Sequence, residues 1–167
     1  MFGCTPIPNF VRMKSTRIND ILPAVIGNIT AHNATQDETT RTFLRYGLRR
    51  LIQYWTEAED KVISTKALSV CVDLGIDWTK LTKGVKGKKK GSPIILGEHP
   101  YPLMEFVRDL YNTPQEDIKE KLESYPPICW VTRSEDNRLN REGYRSNRPE
   151  GWEKTYQICG IQIVKNC

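Results

Sequence analysis

Between Asp37 and Glu57, large apolar residues recur at steps of three and four: Leu44, Leu48, Leu51, Ile52 and Trp55. Only a helix gathers that spacing onto one face, because a turn closes every 3.6 residues. The stretch therefore predicts an amphipathic helix that opens at Asp37 or Thr39 and needs a partner for its apolar stripe. Arg41, Arg45, Arg49 and Arg50 fall mainly off that stripe. They read either as a phosphate-touching face or as a solvated one, and the solvated face is the expectation. A second helix is expected over 59–75, with Val62, Ala67, Leu68, Cys71 and Leu74 on one side and Gly75 as its stop. Asp77 or Thr79 then restarts a short turn around Trp78 and Leu81. Before this pair, Pro6, Pro8 and Pro23 predict an irregular segment over 1–36, in which ILPAVIG at 21–27 is a strand or an arm packed on the core.

The rear half reads differently. SPIIL at 92–96 and ICWVT at 128–132 are short apolar runs bounded by prolines and turn residues, the pattern of buried strands. Leu103, Phe106, Val107 and Leu110 pattern as a helix with Pro102 near its first turn. Thr113-Pro114 with Glu116 and Asp117 opens another, which stops near Tyr125 before Pro126-Pro127. Thr132 followed by Glu135 is a capping-box spacing, so RSEDNRLN is a short helix with Leu139 inward. RPEGWEK is a turn region, and YQICGIQIV at 156–164 is expected to be a closing strand. The fold class is α+β: a helical N-terminal half packed on a small mixed α/β C-terminal half with few short strands.

The 167 residues suit a single domain, 1–167, with a sub-boundary in the lysine-rich loop at 80–90. Hydrophobic residues at 38% and charged residues at 27% fit a folded soluble chain rather than a disordered one. No apolar run approaches the roughly 18 residues of a membrane span. The opening MFGCTPIPNF lacks a basic and apolar secretory leader, so a cytoplasmic or nucleoid-associated protein without membrane contact is expected. Cys4, Cys71, Cys129, Cys159 and Cys167 form no CxxC pair, and with two histidines a closed zinc site has little support. Cys71 and Cys129 lie in apolar surroundings and are expected to be buried, reduced thiols.

The net charge is only +5, so its placement matters more than its size. KLTKGVKGKKK at 80–90 holds six lysines and no acid, and Gly84 and Gly87 make it a loop. Lys83, Lys86, Lys88, Lys89 and Lys90 are candidate phosphate contacts, each amine a mobile point charge. An exposed solubilising loop is the alternative. From Arg133 to Lys154, Arg133, Arg138, Arg141, Arg145 and Arg148 are interleaved with Tyr144 and Trp152, a mixture that grips phosphate and stacks on bases. Five acids share that window, so surface ion pairing is an equal reading. Glu98-His99 lies where a buried strand ends and the chain turns. There a histidine can act as a base near neutral pH and a carboxylate can hold a divalent cation. A tight proline-rich turn, with His99 packed on Tyr101, is the plainer alternative.

Glu98-His99-Pro100-Tyr101-Pro102 has the form [DE]-H-x-x-P, which resembles the opening motif of HNH (ββα-metal) endonucleases. The resemblance implies that Glu98 is a metal ligand and His99 the general base. A downstream asparagine orients the base, and a residue of the following helix completes the metal site. His32 and His99 are the only histidines, so Asp136 or Asn140 takes the last ligand position, and Asn137 or Asn112 the orienting one. The function so implied is a magnesium-dependent endonuclease hydrolysing DNA phosphodiester bonds; from the small size of the chain, a homodimer with a second active site is a separate expectation. A non-catalytic DNA-binding or regulatory protein is the alternative, and a protein-interaction factor with a docking face on the helical half is a third reading.

Overall fold

The computed structural model describes residues 14–58, 61–82, 84–86 and 93–164. A helical N-terminal half packs against a smaller mixed α/β region with a few short strands. The expected helix of the first run is α2, Glu38–Ala58, and it lies on α1, Lys14–Ala34. The irregular segment expected over 1–36 is thus corrected in its described part: α1 is one helix with Pro23 inside it. Ile18, Val25 and Ile29 are buried, with Ile21, Leu22 and Ile26 packed beside them, all at helical spacing. Burial of that stripe against α2 outweighs the lost proline hydrogen bond. Leu48, Ile52 and Trp55 of α2 face it, and α4, Leu103–Tyr111, and α5, Ile118–Glu123, close the same core with Phe106, Val107, Leu110, Ile118, Leu122 and Tyr125.

The sheet has the order β2-β3-β4-β1-β5, formed by β1 (Lys61–Ser64), β2 (Val85–Lys86), β3 (Pro93–Glu98), β4 (Ile128–Thr132) and β5 (Ile163–Val164). β1 and β4 run parallel, and the other pairs are antiparallel. β4 is central and buried along its whole length. Its alternate residues serve different faces: Cys129 and Val131 join Leu139, Tyr156, Cys159 and Ile161, whereas Trp130 joins Ile63, Ala67, Cys71 and Ile95. The sheet therefore lies between α3, Thr65–Asp73, on one side and α6, Arg133–Arg141, with α7, Trp152–Ile158, on the other. Cys71, Cys129 and Cys159 are buried free thiols.

Two further expectations are corrected. The helix expected over 59–75 is β1 followed by α3, because Val62 and Ile63 pair with Cys129 and Trp130 in the ladder. The Ser64 side chain then accepts from the Ala67 backbone and starts the helix there. The closing strand expected over 156–164 begins as α7, whose Thr155, Tyr156 and Cys159 turn inward at helical spacing. Gly160, at φ 62°, stops that helix in a left-handed turn, and only Ile163–Val164 remain as strand. The lysine segment contributes β2 at the sheet edge, while Lys83, Lys88, Lys89, Lys90 and the Lys86 side chain lie outside the described residues. Among the described residues, no helix is long and apolar enough to cross a membrane.

Phe106 is 2% exposed and stacks edge-on against Tyr125 with ring centroids 4.5 Å apart. Phe106→Ala is therefore expected to lower unfolding stability by about 3–5 kcal/mol, read from the urea midpoint.

Candidate functional site

Antiparallel pairing sets Glu98 at the end of β3 opposite Cys129, while α6 starts at the far end of β4 and runs back over β3. The expected capping box holds α6 in place: Glu135 N–H donates to Thr132 Oγ1 at 3.3 Å, and Thr132 N–H donates to Glu135 Oε2 at 2.8 Å. The Ser64 hydroxyl also donates to Glu135 Oε2, at 2.7 Å, so the buried carboxylate ties the ends of the two parallel strands together. With its start fixed and Leu139 buried, α6 turns Asp136 and Asn140, one helical turn apart, toward Glu98.

The result is a polar cleft of about 320 Å³ lined by Glu98, Arg133, Asp136, Leu139, Asn140, Arg145 and Arg148. Its floor is an ionic lattice. The Arg148 side chain is 3% exposed and forms an ion pair with Glu98. The same guanidinium donates to the carbonyls of His99, at 2.9 Å, and Pro100, and its Nε donates to Tyr144 O at 3.2 Å. Tyr156 donates its hydroxyl to the other Glu98 oxygen. Burial, and then the Glu98 charge, push that hydroxyl well above its ordinary pKa, so it stays a protonated donor. On the wall, Arg133 pairs with Asp136 at 3.4 Å and Asn140 donates to the same carboxylate at 3.3 Å. Among the described residues, Arg145 is exposed and has no carboxylate partner.

The cleft thus unites Glu98, Asp136, Asn140, Arg133, Arg145 and Arg148 from the residues singled out in the sequence. His99 is not in its lining. Its ring meets Tyr125 edge-on with Nδ1 3.3 Å from the hydroxyl, which itself donates to Tyr101 O at 2.7 Å. Burial first, then the charges of Arg49 and Arg148, lower the His99 pKa to about 4, so the imidazole is neutral at pH 7. Asn137 is exposed outside the lining, and Asn112 caps the end of α4, donating to Arg108 O at 3.0 Å. Arg138 and Arg141 are exposed on α6, outside the lining, and Arg141 is paired with Glu142 at 3.5 Å. Tyr156 is the site residue that sequence reasoning missed. Its signal, an inward helical spacing with Thr155 and Cys159, lay inside a stretch read as strand.

The residues were tested against a divalent cation. Among the described residues, no group of three or more His, Cys, Asp or Glu side chains could hold a metal ion. The two cleft carboxylates are each neutralised by an arginine, Glu98 by Arg148 and Asp136 by Arg133. Both Glu98 oxygens are already engaged, by Arg148 and by Tyr156, so as arranged Glu98 offers magnesium no free oxygen, whereas Arg133 and Asn140 both act on Asp136 Oδ2. Comparison with protein-family models, curated proteins and solved structures finds no match to the chain.

Arg148→Ala leaves the partly buried Glu98 without its countercharge and is expected to cost about 3–5 kcal/mol in urea unfolding. His99 gives a pH signature. The unfolded chain takes up the proton near pH 6.5 and the folded chain only near 4. Across that window the unfolded state binds more protons, so the His99 contribution is intact above pH 6.5 and is lost as pH falls toward 4. His99→Gln is expected to flatten the fall in thermal midpoint over this window, by comparison with wild type.

Proposed function

We propose that the chain binds nucleic acid, and that the cleft between α6 and the connection at 142–151 holds backbone phosphate. The observation that carries this reading is the convergence of Arg133, Arg145 and Arg148 with the Asn140 amide on one polar cleft, with Arg145 uncommitted to any carboxylate among the described residues. A guanidinium in a cleft presents a planar fork to phosphate oxygens, and an amide adds a donor. The cations of the floor and wall already have carboxylate partners, so Arg145 is the group that meets the ligand. The acid-free lysine run at 80–90, which precedes β3 in sequence, adds positive charge of the kind that follows a phosphate chain.

A magnesium-dependent endonuclease acting on DNA is the second reading. One observation favours it: Glu98, Asp136 and Asn140 share the cleft. In this reading Arg148 or Tyr156 would have to release Glu98 before it could ligate, whereas Asp136 is held through Oδ2 alone by Arg133 and Asn140.

Fluorescence anisotropy with a labelled DNA duplex across a salt series tests the first reading. Wild type is expected to lose affinity as salt rises, and Arg145→Ala to bind more weakly with a salt slope shallower by about one. Salt-insensitive binding, or an Arg145→Ala curve that overlays wild type, removes the cleft from the interaction. Supercoiled plasmid incubated with magnesium or manganese tests the second. Nicking that disappears in Asp136→Asn supports hydrolysis, and intact plasmid at every metal concentration leaves binding alone.

A further inference from the structure

We propose that the cleft accepts the singly charged phosphodiester of an interior backbone position and discriminates against a doubly charged terminal phosphate, with Asp136 as the residue that sets the choice. The proposal rests on the nucleic-acid reading and narrows it to one chemical class of phosphate. Charge is the first constraint. Three arginines, Arg133, Arg145 and Arg148, line the cleft together with two carboxylates, Glu98 and Asp136. Arg148 is matched by Glu98, and Arg133 by Asp136. The remaining positive charge of the lining belongs to Arg145, which has no carboxylate partner among the described residues. Arg138 and Arg141 stand outside the lining and do not add to it. An interior phosphodiester carries one negative charge and so balances Arg145. A terminal monoester carries about 1.5 to 2 at neutral pH, and its excess charge finds no cation in the lining.

Position then separates the two carboxylates. The side chains of Glu98 and Asp136 are 11% and 19% exposed, so little water lies around either to screen its charge. Both Glu98 oxygens are engaged, one by Arg148 and the other by the Tyr156 hydroxyl. Asp136 is held through Oδ2 alone, by Arg133 at 3.4 Å and by the Asn140 amide at 3.3 Å. Both contacts are long beside the roughly 2.7–2.9 Å of a strong charge-assisted bond, so Asp136 keeps the larger part of its field. It also stands one helical turn from Asn140, whose amide has a second N–H to offer a ligand. A phosphate gripped by Arg145 and Asn140 therefore has Asp136 as its neighbour. The diester meets it with two ester oxygens that carry no charge, whereas in the monoester one of those oxygens is ionised. Selection of this kind works by repelling the wrong ligand as much as by holding the right one.

The test displaces a labelled DNA duplex with either of two unlabelled ligands, thymidine 5′-phosphate and its methyl phosphodiester, which share base and sugar and differ by one ionisable oxygen. Anisotropy is read at matched ionic strength and about pH 7.5, above the second phosphate pKa. The proteins are wild type, Asp136→Asn and Asn140→Asp. Neither position belongs to the core, and circular dichroism with the thermal midpoint verifies that each variant is folded. In wild type the diester is expected to displace the duplex at an about fourfold lower concentration than the monoester, the effect of one unit charge about 5 Å away at the dielectric of water. Asp136→Asn is expected to bring the two ligands within about twofold of each other, and Asn140→Asp, which adds a carboxylate, to widen the gap beyond that of wild type. A wild type that prefers the monoester or does not distinguish the two overturns the proposal. So does a preference that Asp136→Asn leaves unchanged, or, should that variant lose its fold, a gap that Asn140→Asp does not widen. Duplex binding that neither ligand displaces also overturns it, because the cleft then holds no single phosphate group. In each of these cases a loss of duplex affinity in Arg145→Ala keeps the nucleic-acid reading of the cleft standing. If wild type binds no duplex, that reading and this proposal fall together.

Discussion

Arg148 reaches from the connection between α6 and α7 and commits one guanidinium to three acceptors from consecutive residues: the Glu98 carboxylate and the carbonyls of His99 and Pro100. A charge this deeply buried is costly unless every one of its donors is met. The turn that follows β3 therefore cannot shift, nor can the connection lift away, without stranding a cation in a medium of low dielectric. Such a pair adds little net stability over well-packed apolar residues, and its effect is to permit one arrangement and penalise the others. Tyr156 extends the constraint to α7 through the second Glu98 oxygen. The position of every cleft residue on the 98–101 turn and the 142–151 connection follows from it.

The opposite wall is fixed by a second buried carboxylate. Glu135 receives Ser64 from the end of β1 and Thr132 from the end of β4, so two strands that meet only in the folded sheet share one acceptor. The Ser64 hydroxyl also accepts from Ala67, and the starts of α3 and α6 are thereby coupled. Between these two anchors lies the cleft, where Arg145 has no carboxylate partner among the described residues. Its two carboxylates each hold an arginine, Glu98 with Arg148 and Asp136 with Arg133.

The elements legible in the sequence were those with local signals. The stripe of Leu48, Ile52 and Trp55, the strand ICWVT and the Thr132/Glu135 capping box each carry their cause within about twenty residues of chain. α1 was hidden because the expectation weighed Pro23, whereas the outcome rests on burial of Ile18, Val25 and Ile29 against a helix further along. β1 was hidden because four residues with one apolar pair read as part of the helix after them, and only the ladder to β4 separates the two. At the site, residue types were readable and directions were not. Spacing alone puts Asp136 and Asn140 on one side of α6 and Asn137 on another, but nothing in Glu98-His99 says that the first residue faces the cleft and the second faces Tyr125. That division depends on Arg148, about fifty residues away, taking hold of both residues.

The placement of β1 has a consequence for how the chain comes together. It sits between β4 and β5, and both of its neighbours follow it in sequence. The α1–α2 hairpin is made of local contacts and can form as soon as it leaves the ribosome. β1 cannot pair until Ile128–Thr132 has been synthesised, and its other edge waits for Ile163–Val164. Until β4 has been synthesised, then, this short strand has both edges open, the kind of element that recruits wrong partners. Closing the parallel pair means closing the long loop between its strands, an entropic cost that the α1–α2 hairpin does not carry.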